Sequence, residues 1–148
     1  MRGSRRPLSD NVARARALLI GGTIGGHTAG AVAVVCFFLF RGERAGISAL
    51  LAAAVTLAFN IIGMAVQVAV ADAEPKFVMM AALASYGTRV GLLGIVLMTT
   101  LSSPIGSSLL DPTAVVVTTI SVVLGWLGWE FWAYSRLRIP VFDPPTAP

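Results

Sequence analysis

Five side chains set within apolar stretches carry most of the chemistry this sequence offers: His27, Asn60, Gln67, Arg89 and Glu130. Arg89 is the sharpest of them. It stands at the middle of residues 77–101, FVMMAALASYGTRVGLLGIVLMTTL, an apolar run of membrane-spanning length. A spanning helix needs about 20 apolar residues at ~1.5 Å rise each, which puts Arg89 near the bilayer midplane. Placing a guanidinium there costs roughly 2.5–3.5 kcal/mol on insertion scales, so it requires a partner. Its planar fork of donors suits a carboxylate, bound bidentately. Catalytic groupings are absent: there is no Ser/His/Asp set, no pair of neighbouring carboxylates and no cysteine cluster. An enzyme is therefore not expected. His27 is the single histidine and Cys36 the single cysteine, each inside an apolar run. Neither has the spacing of a metal site or a disulfide framework, and no cofactor or small-molecule substrate is expected.

The elements that position these residues follow from composition. Of the 148 residues 56% are hydrophobic and 12% charged, half the charge of a typical soluble domain at about 25%. The chain reads as an all-α integral membrane protein with little mass outside the bilayer. Apolar runs and breakers predict four spans, as two helical hairpins, at 17–40, 45–71, 77–101 and 113–134. Residues 1–16 form a basic, mostly disordered start, and 136–148 a proline-ended tail in which we assign no role to residues 143–148. Pro75 ends one turn and opens the third helix, and Pro104, Gly106 and Pro112 punctuate the last loop. Arg5-Arg6 is not the head of an export signal, because the apolar stretch behind it is too long.

Orientation comes from the basic residues. With the N-terminus inside, Arg2, Arg5, Arg6, Arg14, Arg16, Lys76, Arg136 and Arg138 lie on the inner side, and only Arg41 and Arg44 on the outer. That eight-to-two bias predicts both termini in the cytoplasm. The net charge of +4 then points to anionic lipid at the inner leaflet rather than to nucleic acid. Trp126, Trp129, Trp132 and Tyr134 fall toward the inner interface, where amphipathic rings settle.

Counting along each span gives depths. His27, Asn60 and Arg89 share a layer roughly 15–18 Å from the inner end, and Gln67 and Glu130 a shallower one at about 6 Å. Arg89 thus has an internal reading, pairing with Asn60, His27, backbone or a distant Glu130, and an external one, meeting a partner's buried carboxylate. An ion pathway would need a fuller polar stripe. Glu130 reads as an interfacial carboxylate, protonated among Trp129 and Phe131 or paired with Arg136. Gly22, Gly26 and Gly30 repeat every four residues, as do Gly87 and Gly91 around Arg89. Such small-residue ridges allow close helix approach in lipid, either within the chain or against a partner. They form no phosphate loop, since neither a preceding strand nor a following Lys-Ser/Thr is present.

A glycine-rich first helix, a basic residue inside the third and the tail Arg136-Leu137-Arg138-Ile139-Pro140-Val141-Phe142-Asp143 are together similar to ATP synthase protein I in its actinobacterial form. The resemblance spans residues 17–143, with R-x-R-I-P-V-F-D as its local signal. It implies a small membrane factor that assists assembly or stabilisation of the c-subunit ring of the F-type ATP synthase, in the bacterial inner membrane. A c subunit presents a glycine-rich hairpin and one carboxyl near mid-membrane, which Arg89 would meet as the stator arginine does. The resemblance also implies an alternative, magnesium passage, for which a coordinating, acidic or carbonyl-lined pore is expected; the spans hold one acidic residue, Glu130. A small transporter or channel subunit, and a structural four-helix protein with no specific ligand, are the other readings.

Overall fold

The computed structural model describes residues 9–102 and 108–136. They form four α-helices: α1 (Asp10–Arg41), α2 (Glu43–Ala69), α3 (Pro75–Ser102) and α4 (Pro112–Arg136). All four are long and apolar enough to cross a membrane, and no strand occurs among the described residues.

Local chemistry sets the helix ends. Ser9 Oγ accepts the Val12 N–H at 3.2 Å as an N-cap, and α1 therefore begins at Asp10. The expectation of a disordered start is corrected for residues 10–16, which are helical; residues 1–8 and 137–148, including the tail signal from Leu137 onward, lie outside the described residues. A single residue, Gly42, separates α1 from α2. Its φ of +84° lies in the left-handed region that favours glycine, and this lets the chain reverse without a loop. Pro75 and Pro112 occupy the first position of α3 and α4, where a missing N–H costs nothing. Asp111 caps α4 by accepting the Ala114 N–H at 2.9 Å.

The helices do not pack as two equivalent hairpins. α1, α2 and α4 form a tight three-helix core, whereas α3 leans on α2 and scarcely touches α4. In lipid, helices associate through van der Waals fit rather than through a hydrophobic gradient, so the core is built from small residues facing one large one. Trp126 is that large residue, 1% exposed. It is a core anchor and not an interfacial ring, unlike the exposed Trp129, Trp132 and Tyr134. Its indole lies on α1, so that a Cβ at Gly22 would collide with it. A Cβ at Gly26 would stand 2.8 Å from Leu57 Cδ2, and one at Gly30 3.2 Å from Val122 Cγ2. The ridge Gly22/Gly26/Gly30 is filled by this chain's own side chains. Its reading as a partner-docking surface gives way to internal packing.

Polar ties close both ends. At one, Ser9 Oγ donates to the Asp72 carboxylate at 2.6 and 2.8 Å, joining the start of α1 to the α2–α3 turn. At the other, Arg41 pairs with Asp111 at 3.0 Å, Arg44 donates to the Leu110 carbonyl, and Ser48 Oγ accepts the Asp111 N–H at 2.8 Å. The outward surface is studded with exposed Ile, Leu, Val, Phe and Met from all four helices, the surface a hydrocarbon solvent would wet.

Candidate functional site

Arg89 extends from α3 across the face of α2. Gly63 makes that possible: a Cβ there would run into Nε, Cζ and Nη2 of the guanidinium. From this seat Nη1 donates to Asn60 Oδ1 and Nη2 to Ser85 Oγ, each at 3.3 Å. Ser85 Oγ donates in turn to the Gly63 carbonyl at 3.1 Å, and Asn60 Nδ2 to the Thr56 carbonyl at 3.0 Å. Arg89 Nε is buried and has no partner among the described residues. Both guanidinium contacts are longer than the usual 2.9–3.0 Å and go to neutral acceptors, whereas a carboxylate would give shorter, charge-assisted bonds. Beside it lies an open cleft of about 380 Å³, walled by Phe59, Ile62, Val66, Ala81, Ala84 and Leu92.

Glu130 Oε2 accepts the Trp126 Nε1–H at 3.0 Å, an i to i+4 contact on α4. The expected partner Arg136 instead lies over the Trp132 ring, 4.8 Å from its centroid.

Of the mid-span layer, Asn60 and Arg89 are brought together and His27 is not. His27 is on the exposed face of α1, its Nδ1 2.8 Å from the Thr23 carbonyl; equal depth carried no information about which way the ring points. Gln67 is half-buried, and among the described residues no hydrogen bond joins it to Glu130, which bonds Trp126 instead. Gly87, Gly91 and Gly94 on α3 have nothing within 4 Å of where a Cβ would be, so the α3 ridge is open. Sequence reasoning missed Gly63, Ser85 and the core role of Trp126. Ser85 was findable, one turn before Arg89 on the same face. Gly63 gave no signal, being one of several small residues on α2.

The fold and site define a multi-pass, all-helical protein of membrane-spanning build, with a guanidinium held between two spans by neutral groups. No family model, curated protein or solved structure matches the chain. What the arrangement can do chemically is bind an anion, a carboxylate best of all.

Proposed function

We propose that the protein is an accessory factor of the F-type ATP synthase in the bacterial inner membrane, with both termini cytoplasmic, and that it holds c subunits while their ring is assembled. The observation that carries this reading is the state of Arg89: a guanidinium in mid-span, on the least enclosed helix, with long bonds to neutral acceptors and Nε unpartnered. Such a group gains by exchanging Asn60 and Ser85 for a carboxylate. The resemblance of residues 17–143 to ATP synthase protein I supplies the partner, a c subunit with its mid-membrane carboxyl. The open face of α3 around Gly87 and Gly91 offers the close approach that a glycine-rich hairpin needs. The basic end of the bundle meets anionic lipid of the inner leaflet.

The test is purification of the tagged protein from native membranes in mild detergent. Wild type is expected to bring down the c-ring, and Arg89→Ala and Arg89→Gln to lose it. Asn60→Ala is expected to keep it, since the external carboxylate replaces that contact. A ring retained by both Arg89 variants returns Arg89 to internal packing; a ring absent from wild type removes the assembly role and brings ion flux in liposomes to the front.

A further inference from the structure

Between α1 and α2 runs an open groove of about 610 Å³, from His27 to Val35 on one helix and from Ile61 to Leu50 on the other. Its floor is the close approach of Gly30 to Ala53, both buried. Every residue lining it other than His27 is Gly, Ala, Val, Leu or Ile. His27 is thus the single polar side chain at one end of an apolar trough, about 21 Å from the Arg41 end of α1 at ~1.5 Å rise per residue.

The ring is held in one pose. Its Nδ1 lies 2.8 Å from the Thr23 carbonyl. A carbonyl only accepts, so Nδ1 carries the proton and Nε2 of the neutral ring is left as an acceptor. Nε2, across the ring from that bond, faces away from the α1 backbone and has no partner among the described residues. The hydroxyls nearest it on α1 are spent, Thr23 Oγ1 on the Leu19 carbonyl and Thr28 Oγ1 on the Ile24 carbonyl.

We propose that this groove binds an uncharged lipid whose hydroxyl donates to His27 Nε2 and whose apolar tail lies along the trough toward Val35 and Leu50. Prenylated quinols and prenyl alcohols share that chemistry. An acyl chain of bulk lipid would fill the trough but leave Nε2 bare in hydrocarbon, where an unpaired polar group is costly. A phospholipid headgroup belongs at the helix ends, too far from His27 to reach it. A metal ion suits an imidazole held through its other nitrogen, but it would find no second ligating side chain in the lining. Apolar walls with one placed polar group are the usual make-up of a ligand site. The inference goes beyond the c-ring reading and does not depend on it.

His27 is the single histidine, so nitrogen NMR of the full chain, labelled at histidine in detergent micelles, reads the site directly. The free protein is expected to show the Nδ1–H tautomer with Nε2 bare. Decylubiquinol or farnesol is expected to shift Nε2 saturably, and the tighter of the two identifies the headgroup. Decylubiquinone has the ring and tail of the quinol but no hydroxyl, and is expected to bind about tenfold more weakly, as for one lost hydrogen bond. By equilibrium dialysis, His27→Phe is expected to erase the preference for quinol over quinone. An Nε2–H tautomer, equal affinity for quinol and quinone, or a preference that survives in His27→Phe overturns the proposal. So does a dimer that is lost in His27→Phe, since a second copy would then cover the groove. Were that variant not to fold, the quinol and quinone titrations of wild type decide.

Discussion

In α1, Gly22, Gly26 and Gly30 are covered by Trp126, Leu57, Val122 and Ala53, while in α3 Gly87 and Gly91, at the same four-residue spacing, face open space. The two ridges are chemically alike. What separates them is the residue opposite: the α1 ridge meets a buried tryptophan, and the α3 ridge meets nothing among the described residues. The three-helix core packs small residues, buried hydroxyls and Asn60 around Trp126, and α3, which buries little, carries the guanidinium. The polar ties of α3 to α2 are the Arg89–Asn60 and Ser85–Gly63 hydrogen bonds, beside a glycine seat, and α3 is the least enclosed part of the molecule.

Adding one methyl to the covered glycine face of α1 and one to the open ridge of α3 should separate them most sharply. At Gly25 a Cβ would strike the Gly125 carbonyl oxygen, which is backbone and cannot swing aside. Gly25→Ala is therefore expected to destabilise the protein by about 1–3 kcal/mol, the range for overpacking, read as a lowered melting temperature in detergent. A smaller loss is expected at the tie between the helix ends. Asp111→Ala removes both the α4 cap and the Arg41 pair, about 1–2 kcal/mol as for other caps; Asp111→Asn keeps capping ability and should cost at most about 1 kcal/mol.

The same carboxylate gives this tie a pH dependence. The Ala114 backbone N–H, and after it Arg41, hold the Asp111 carboxyl below its ordinary range, against an opposing effect of burial. A depressed folded-state value means stability that is present above the unfolded value of about 3.9 and lost as pH falls through the folded one. Melting temperature should drop below about pH 4, more steeply in wild type than in Asp111→Asn; parallel curves would show that other acids dominate. The smallest effect is expected on the open ridge. Gly87→Ala and Gly91→Ala should stay within about 0.5 kcal/mol of wild type. If they nonetheless weaken recovery of the c-ring, the α3 face is a contact surface and the contrast with α1 is functional as well as structural.

Much of the fold was legible in the sequence because proline and polar turns interrupt the apolar runs: Pro75 and Pro112 mark the starts of α3 and α4. The start of α1 was not, since Arg14 and Arg16 make residues 10–16 look like a solvated tail, although Ser9 caps them into a helix. Depth along a span could be counted, and it placed Asn60 level with Arg89. Azimuth could not, because the hydrophobic periodicity that reports facing in water is erased when every outward face is apolar too. That is why the depth His27 shares with Asn60 and Arg89 gave no sign that its ring is on the exposed face of α1. The seat at Gly63 is a relation between two helices, and a single glycine among alanines gives no sign of it.

The closure of α1 by Trp126 also has a consequence in time. About one hundred residues separate Gly22 from Trp126, so at ~5–20 residues per second the indole is made on the order of ten seconds after the groove it fills. During that interval α1 and α2 can already pair, Leu57 and Ala53 reaching Gly26 and Gly30, and the arginine-bearing span follows them, but Gly22 remains uncovered. The bundle is thus completed out of chain order, its opening span finished only by its closing one.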